Sequence, residues 1–404
     1  MKVVIIGGGA AGFFAAISAK ENHPDAEVVI LEKSQKLLAK VKVSGGGRCN
    51  VTNGCASIPE LCKAYPRGGK KLKKPFHIFN TKHTCEWFES RGVALVTQDD
   101  GCVFPVSQDS QTIIDCLMKE VDRLGISVRI GTGVQAIRQM DDHFALDFSR
   151  GLQSTFTCDR LVIATGGSPK RQGLQWLEDL GHKIEDPVPS LFTFNMPNET
   201  VRDLMGIVVE NAQVNIQGTK LKSSGPLLIT HWGMSGPAIL VLSSFGARIL
   251  SEMGYQFKTQ VNWVGEANNE VVLEKLQEII DTYPNKLLAN QRAYNLPDRL
   301  WNYLLTKAEL SPRKKWSEVG KKGLNKLTTL LTNDIYEVSG KTTFKEEFVT
   351  CGGVSLQDID MNTMQSKIVP GLYFTGEVMD IDAITGGYNF QGAWTTGFIA
   401  GKLE

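Results

Sequence analysis

The feature that most constrains the fold is a glycine-rich turn between a short apolar run and a helical stretch near the N-terminus. The run Val3–Ile6 is rich in β-branched residues and is followed by Gly7, Gly9 and Gly12 in the spacing G-x-G-x-x-G. The largely apolar stretch Phe13–Lys20 then predicts a helix. Strand, turn and helix in this order form the context in which the motif binds the diphosphate of a dinucleotide. The helix N-terminus would offer free N–H groups and a partial positive charge to the phosphates.

An acidic residue stands at the distance that such a fold requires. Glu27–Leu31 predicts a second strand, and Glu32 follows it, twenty residues after Gly12. Dinucleotide-binding folds place a carboxylate there to accept hydrogen bonds from a ribose. The alternatives are an ordinary βαβ unit with a chance glycine turn, or a signal peptide or membrane span over the charge-free Val3–Ala19. Glycines would break a spanning helix, and only Lys2 supplies a basic flank.

Length and composition limit the class of protein. A chain of 404 residues should hold two or three domains, and 42% hydrophobic and 22% charged residues are ordinary for a globular protein. The net charge of +1 gives no global indication of a nucleic-acid or membrane partner, so neither is expected. Eight cysteines without a CxxC pair predict reduced thiols and a cytoplasmic location. No metal site is predicted.

Further glycine-rich segments repeat the pattern of a turn that meets a ligand. Three consecutive glycines at Gly45–Gly47 are too costly for a helix interior, and they predict a loop lying against a ligand or, alternatively, a flexible surface turn. An apolar run ending in Thr165–Gly167 predicts a buried parallel strand that meets a ligand at its carboxyl end. Near the C-terminus, Gly376–Glu377 closes another strand, and Gly386–Asn389 leads into a helix of small residues.

The domain order follows from changes in composition along the chain. Short strands are predicted after Pro189, and three helical patterns lie between Glu270 and Leu331. The C-terminal residues return to α/β character. We therefore predict one dinucleotide-binding domain from residues 1–190 plus 346–404. Its insertion would comprise a β subdomain, residues 191–268 plus 332–345, and a helical subdomain, residues 269–331.

Three other stretches carry more specific predictions. Tyr65–Lys74 holds five basic residues and predicts a solvated loop or, alternatively, an anion-attracting rim of a substrate or nicotinamide channel. The charge-free Ser223–Ala247 predicts buried strand and loop. Phe144–Phe148 and Ser154–Cys158 alternate in hydrophobicity and predict a hairpin.

Three longer motifs identify a family that the chain resembles. They are Ser44–Asn53 (SGGGRCNVTN), Val103–Ser107 (VFPVS) and Thr230–Pro237 (THWGMSGP). With the glycine-rich turns, they resemble the BaiN/RdsA-type, YhiN-like bacterial flavoproteins of the two-dinucleotide-binding-domain superfamily. The resemblance runs from Met1 to Ala400. It implies an α/β fold: a Rossmann-like FAD-binding domain with an inserted β-barrel-like subdomain and a small helical subdomain.

The resemblance also implies non-covalent FAD and roles for particular residues. The Gly7–Gly12 turn would hold the diphosphate and Glu32 the adenosine ribose, while Val134 would meet the adenine. The segment near Asn50 would line the cofactor, and the C-terminal loop near Asp382 would hold the ribityl chain and the flavin ring. The implied cofactor-binding set is Gly7, Gly9, Ala10, Ala11, Gly12, Glu32, Lys33, Ser44, Gly45, Gly46, Gly47, Arg48, Cys49, Asn50, Val134, Thr165, Gly166, Gly167, Gly376, Glu377, Asp382, Gly386, Gly387, Tyr388 and Asn389.

The predicted function is an FAD-dependent oxidoreductase that acts on an unidentified small molecule. Amine oxidation and enone reduction are both open, and since no second G-x-G-x-x-G occurs, NAD(P)H would dock only transiently as reductant. The alternatives are a flavin-dependent RNA-modifying protein and a non-catalytic flavin-binding protein. His231 is the candidate proton donor or substrate contact, opposite the flavin ring, because a histidine can exchange a proton near neutral pH. It could instead be a hydrogen-bonded core histidine, and Cys49 with Cys55 could instead form a redox disulfide.

Overall fold

The computed structural model describes residues 1–148, 156–343 and 349–404. The chain forms two compact units, Met1–Ser190 with Phe344–Glu404, and Leu191–Thr343. The predicted boundary between residues 345 and 346 lies outside the described residues, and so do the first two residues of the predicted strand Ser154–Cys158. The division of the insertion into a β and a helical subdomain remains our proposal.

The described residues contain both strands and helices, some alternating and others in runs of one type. The strands are β1 (Lys2–Ile6), β2 (Glu27–Leu31), β3 (Thr52–Asn53), β4 (Leu95–Thr97), β5 (Cys102–Pro105), β6 (Ser127–Arg129), β7 (Val134–Gln139), β8 (Phe144–Phe148), β9 (Phe156–Cys158), β10 (Arg160–Ile163), β11 (Ile184–Pro189), β12 (Thr193–Asn195), β13 (Val208–Ile216), β14 (Lys222–Ile229), β15 (Gly233–Ser235), β16 (Gln256–Asn262), β17 (Asp334–Ser339), β18 (Lys341–Thr342), β19 (Thr350–Val354) and β20 (Leu372–Phe374). The α-helices are α1 (Ala10–Asn22), α2 (Ala39–Gly47), α3 (Ile58–Lys63), α4 (Gly69–Ile78), α5 (Thr81–Glu89), α6 (Gln111–Arg123), α7 (Gln175–Glu178), α8 (Pro237–Glu252), α9 (Asn269–Thr282), α10 (Asp298–Lys307), α11 (Gly320–Thr332) and α12 (Tyr388–Ala400). Short 3₁₀ helices cover Arg171–Leu174, Thr200–Leu204, Ala293–Asn295, Trp316–Glu318 and Gly376–Val378.

The first unit is built on a parallel sheet with strand order β20-β10-β1-β2-β6. Its central strands are buried almost throughout, as expected for a parallel sheet covered on both faces. The helices α1 and α12 approach each other closely because α12 carries small residues at their contact. A Cβ at Gly397 would lie 2.7 Å from the Ala11 carbonyl oxygen, so only glycine fits there. The C-terminal segment therefore completes this unit, and the predicted Rossmann-like fold is confirmed.

The second unit contains an antiparallel sheet with strand order β17-β16-β13-β14-β15-β12-β18. Its two end strands, β17 and β18, are successive parts of one chain segment, joined only by Gly340. Because β17 pairs with β16 while β18 pairs with β12, the sheet closes on itself as a small barrel. The positive φ of Gly340, 108°, permits the change of partner. This closure is the barrel-like subdomain that the resemblance implied.

The helices α9, α10 and α11 correspond to the three predicted helical patterns of the insertion. Each buries apolar side chains of its periodic pattern, and the fully buried indole rings of Trp301 and Trp316 stack with their centroids 6.1 Å apart. The part of the chain that the structure describes contains no helix that is both long enough and apolar enough to span a bilayer.

The predicted loop over Tyr65–Lys74 is wrong, because α4 begins at Gly69. Its lysines occupy the exposed side, while Leu72 and Phe76, four residues apart, are fully buried on the other. The sequence of an amphipathic helix with a strongly basic face resembles that of a charged loop when only the number of charges is considered.

The predicted strand-and-loop structure of Ser223–Ala247 is wrong for its second half, which belongs to α8. Pro237 stands in the first turn of this helix, where its missing N–H costs nothing. The stretch lacks charge because α8 packs against β13 and β14 and buries much of its surface. A proline and several glycines indicated irregular structure, although they mark only the start of the helix.

Candidate functional site

The predicted cofactor-binding turns of the first unit meet at one edge of the parallel sheet. Gly7–Gly12 follows β1, Glu32 follows β2, Thr165–Gly167 follows β10 and Gly376–Glu377 follows β20. Because the carboxyl ends of parallel strands lie at the same edge, these four segments are neighbours despite their distance in sequence. Ligands of open α/β sheets bind in the crevice outside this edge.

The three motif glycines serve different purposes. Gly7 has a φ of 119°, and a Cβ on it would lie 2.3 Å from the Ala164 carbonyl oxygen. A Cβ on Gly12 would lie 2.0 Å from the Gly7 carbonyl oxygen. A Cβ on Gly9, in contrast, would meet no protein atom within 4 Å. The first two glycines therefore allow the chain to pack, whereas Gly9 borders open space that a ligand can fill.

The helices α1 and α12 are among those of this unit that begin without a side-chain cap. The N-cap residues are Gly9 for α1 and Gly387 for α12, and neither helix has an acidic residue in its first turn. Their first N–H groups are therefore available to a bound anion, whose charge each helix dipole favours. The residues present thus fit a dinucleotide, which needs a diphosphate site and a polar lining for the rest of the molecule.

Glu32 is held in place by the backbone around it. Its two carboxylate oxygens accept the N–H groups of Gly8 (2.8 Å) and Ser34 (2.7 Å). A carboxylate has about four lone-pair sites, so capacity remains for a ribose hydroxyl. The backbone oxygen of Glu32 also accepts the N–H of Thr132 (2.8 Å), which brings the loop before Val134 to this corner.

We expect Glu32→Gln to weaken FAD binding without abolishing it. The amide can accept through only one of its two terminal atoms, so one charge-assisted bond is lost, at a cost of about 1.5–3 kcal/mol. Fluorescence titration of the apoprotein with FAD would measure the loss. The matched control is Glu27→Gln, at the exposed opposite end of the same strand. Equal affinities for the two variants would contradict the ribose assignment.

The loop prediction for Gly45–Gly47 is confirmed. The helical segment α2 departs from helical geometry from Ser44 on, and the three glycines have φ values of 57°, 69° and 86°. The N–H of Leu38 donates to the Gly8 carbonyl oxygen (2.9 Å), which fixes the start of this segment beside the first glycine turn. A Cβ on Gly46 or Gly47 would meet no atom within 4 Å, so this loop also borders open space.

Arg48 and Cys49 are engaged by the protein itself. The Arg48 guanidinium lies 4.1 Å from the centre of the Phe104 ring, and its Nε donates to the Gly45 carbonyl oxygen (3.1 Å). Cys49 is fully buried, and burial raises the pKa of its thiol to about 12, partly offset by Ser44. Disulfide exchange needs a thiolate. All eight cysteines lie in the described residues as free thiols, and the buried Cys49 thiol is poorly suited to such exchange.

The N-terminal loop and the C-terminal glycine turn are hydrogen-bonded to each other. The Asn50 amide, oriented so that its oxygen accepts the Gly387 N–H (3.0 Å), joins the two segments. The Asn53 amide nitrogen donates to the Gly386 carbonyl oxygen (3.0 Å), and the Tyr65 hydroxyl donates to the Tyr388 carbonyl oxygen. The predicted residues of both segments are therefore brought together in one place.

Asn389 stabilises this turn internally. Its side-chain oxygen accepts the Ala383 N–H (2.9 Å), and its nitrogen donates to the Ala383 carbonyl oxygen (3.0 Å). The amide therefore shapes the loop over residues 383–389.

Glu377 connects two residues that the sequence did not indicate. Its carboxylate accepts from Lys40 Nζ (2.7 Å) and from the Thr350 N–H (2.7 Å). A Cβ on Gly167 would lie 2.4 Å from the Thr350 hydroxyl and 2.5 Å from the Glu377 carboxylate, so glycine is required there for packing. No local pattern marks Lys40 or Thr350, because each contact joins distant parts of the chain.

Asp382 is fully buried, and protein groups surround its carboxylate. Arg67 donates to both of its oxygens, and the Ser190 hydroxyl donates to one of them. Burial lowers the pKa of Arg67, but the hydrogen bond and the charge of Asp382 outweigh it, and the pKa is raised. The pair thus anchors the C-terminal loop, and direct contact of Asp382 with a cofactor remains a prediction. In the sequence, nothing local distinguishes Arg67 from the four lysines that follow it in Tyr65–Lys74.

His231 belongs to the second unit, directly after β14. The residue is exposed, and its ring lies 4.6 Å from that of Trp232, which is 44% exposed. The alternative of a buried core histidine is therefore wrong. Its predicted part in catalysis is untested by this geometry and stays a prediction.

A parallel-sheet edge with the uncapped N-termini of α1 and α12, completed by the C-terminal segment, defines a Rossmann-type dinucleotide-binding fold. The family model of the HI0933-like protein Rossmann domain matches residues 1–403, and the chain belongs to this family. The resemblance inferred from the sequence motifs is thereby confirmed, and with it the predicted class of enzyme, a flavin-dependent oxidoreductase.

Two named enzymes are similar to this protein over nearly the whole chain. A 3-dehydro-bile acid delta(4,6)-reductase from Clostridium scindens is 26% identical, over 99% of this chain and 98% of the relative. A ribosomal RNA dihydrouridine synthase from Escherichia coli is 30% identical, over 97% of this chain and 95% of the relative.

Among solved structures, a 3-ketosteroid-delta4-(5alpha)-dehydrogenase from Rhodococcus jostii is similar with a TM-score of 0.52 and 13% identity. The alignment covers 99% of this chain and 97% of that one. At this identity the similarity supports the fold alone.

Proposed function

We propose that the protein is an FAD-dependent reductase of a carbon–carbon double bond conjugated to a carbonyl group. The observation that carries this proposal is the reaction shared by the names of two whole-chain relatives. A delta(4,6)-reductase of a 3-dehydro bile acid saturates double bonds conjugated to a 3-oxo group. A dihydrouridine synthase saturates the C5=C6 bond of uracil, which is conjugated to the C4 carbonyl. Of the two reactions left open by the sequence, this favours enone reduction over amine oxidation.

The residues at the sheet edge would hold the diphosphate, the ribose and the flavin end of FAD. The N-terminus of α1 and the open space at Gly9 suit the diphosphate, and Glu32 suits the ribose. The joined segments around Asn50 and Gly387 suit the flavin end. When bound, FAD supplies the hydride that the substrate accepts. NADH or NADPH is the proposed reductant, docking transiently.

The protein's own part is to position the substrate, exclude water and supply a proton. Hydride addition to the β-carbon of an enone leaves negative charge on the carbonyl side, and the α-carbon must then be protonated. The partial positive charge at the N-terminus of α12 stabilises negative charge near it. We propose His231 as the proton donor, since an exposed imidazole can exchange its proton with solvent between turnovers.

Anaerobic half-reactions would test the proposal. NADH or NADPH should reduce the bound flavin, and a 4-en-3-one steroid or a uridine-containing ribosomal RNA transcript should then reoxidise it. The product should be heavier by two hydrogen atoms in mass spectrometry. The proposal would be overturned if amines reduced the oxidised flavin while no conjugated double bond reoxidised the reduced one.

Uridine in RNA is the second candidate substrate, and the surface of the first unit favours it. Residues 61–82 contain seven basic and no acidic residues. Four of these basic residues, Lys70, Lys71, Lys73 and Lys74, are exposed on α4. The same unit carries the cofactor-binding edge. A phosphate-bearing substrate of this unit would therefore meet complementary positive charge on α4.

A further inference from the structure

The second unit concentrates positive charge in one part of its sequence. Residues 286–326 contain ten basic and three acidic residues, a net charge of +7. Because the whole chain carries +1, the remainder carries −6. The near-neutral total therefore conceals a strongly basic segment, and it is no evidence against a polyanionic partner.

Six of these ten basic side chains neither pair with a carboxylate nor donate to a carbonyl oxygen among the described residues. The other four are engaged: Lys307 pairs with Asp334, Lys326 with Glu309 and Arg292 with Asp298, while Arg299 donates to backbone carbonyls. We call the remaining six the basic surface: Lys286, Arg313, Lys314, Lys315, Lys321 and Lys322. Five of them are exposed and Lys314 is half-buried.

The residues of the basic surface lie next to one another in the fold. Leu287 pairs with Lys315 as an antiparallel bridge, and the N–H of Leu288 donates to the Lys314 carbonyl oxygen (2.9 Å). Lys286 therefore lies beside the run Arg313–Lys315. A groove of about 440 Å³, lined among others by Trp316, Ser317 and Lys321, then connects this run to the first turn of α11.

We propose that the basic surface docks the phosphate backbone of an RNA substrate. The inference rests on the RNA form of the proposed function and adds to it a binding surface on the second unit. Exposed lysines and an arginine without carboxylate partners can release counterions from a phosphodiester chain, which supplies affinity without reading sequence. The helix α9, which lines the groove with Leu273, Gln277 and Ile280, also carries the exposed carboxylates of Glu274, Glu278 and Asp281.

RNA suits this surface better than an anionic membrane does. Proteins that lie on membranes combine basic residues with exposed aromatic or large aliphatic side chains that insert between lipids. Within residues 286–326, all of which are described, no large hydrophobic side chain is highly exposed. The surface offers dense charge beside one exposed aromatic ring, Tyr283 (42% exposed), and not an apolar face, which is the pattern expected for backbone phosphate contacts.

The test compares two triple variants that lose the same charge. Lys315→Gln/Lys321→Gln/Lys322→Gln removes half of the basic surface, whereas Lys119→Gln/Lys220→Gln/Lys222→Gln removes exposed lysines elsewhere. Binding of a fluorescein-labelled single-stranded RNA would be followed by anisotropy at several salt concentrations. For the first variant, the slope of log affinity against log salt should fall by about 2, with affinity at low salt reduced at least about tenfold. The second should bind like wild type.

The outcomes separate docking from catalysis. The inference is overturned if the wild type does not bind the RNA, if both variants lose equal affinity, or if the first variant loses binding to phosphatidylserine vesicles but not to RNA. RNA binding that depends on the basic surface, without formation of dihydrouridine, would support docking and refute RNA as the reduced substrate. Both variants should reduce a 4-en-3-one steroid at the wild-type rate, so a general defect would be visible there.

Discussion

Replacing Gly9 with valine should give a folded protein that contains no FAD. The backbone at Gly9 is extended (φ −97°, ψ −172°), a conformation that any residue adopts, and a Cβ there would meet no protein atom within 4 Å. The chain can therefore accept valine. The branched side chain would instead fill the space beside the N-terminus of α1, where the diphosphate is proposed to bind.

The Gly9→Val experiment compares flavin content with folding. Flavin absorbance per protein should fall to background, while the circular dichroism spectrum and the melting temperature should match those of wild-type apoprotein. Gly12→Val is the contrasting variant, because its Cβ would lie 2.0 Å from the Gly7 carbonyl oxygen and should disrupt the fold itself. Normal flavin content in Gly9→Val would refute the assignment of this turn to the diphosphate.

The first cofactor-binding elements could be predicted because their signal is local. The strand β1, the glycine turn, α1, β2 and Glu32 lie within 32 residues, and strand, helix and turn each carry their own pattern. The three helices of the insertion were predicted for the same reason, since each shows leucines at helical spacing. Where one stretch of sequence contains the whole pattern, propensity and tertiary structure agree.

The contacts that position the C-terminal loop could not be predicted, because they join distant segments. Arg67 and Asp382 are 315 positions apart, and Lys40 and Glu377 are 337 apart. No local sequence pattern distinguishes these four side chains from the other charged residues near them in the sequence. Only the sheet order, which sets β20 beside β10 and β10 beside β1, brings their segments to the same edge.

The closure of the barrel could not be predicted from local sequence for a similar reason. It depends on Gly340, which lets one chain segment pair first with β16 and then with β12.

The total charge was a poor guide to possible partners, because a value of +1 averages a basic part of the second unit against an acidic remainder. Total charge is informative about partners only when charges are evenly distributed along the chain and over its surface.

Replacing His231 with alanine should slow turnover by about 10²–10⁴-fold, the usual loss when a general acid is removed. FAD content and melting temperature should be unchanged, because the side chain is exposed and its described ring contact is with the partly exposed Trp232. The matched control is His77→Ala, which removes another exposed imidazole, from α4. This control should leave the rate of steroid reduction at the wild-type value.

Separate measurement of the two half-reactions makes the His231 test specific. Protonation of the substrate belongs to the oxidative half-reaction, so His231→Ala should slow reoxidation of the reduced flavin by the enone. Reduction of the flavin by NADH or NADPH should proceed at the wild-type rate. If reoxidation by the enone is as fast as in wild type, the proton comes from water or another residue. If flavin reduction is the slowed step, His231 serves the nicotinamide instead of the substrate.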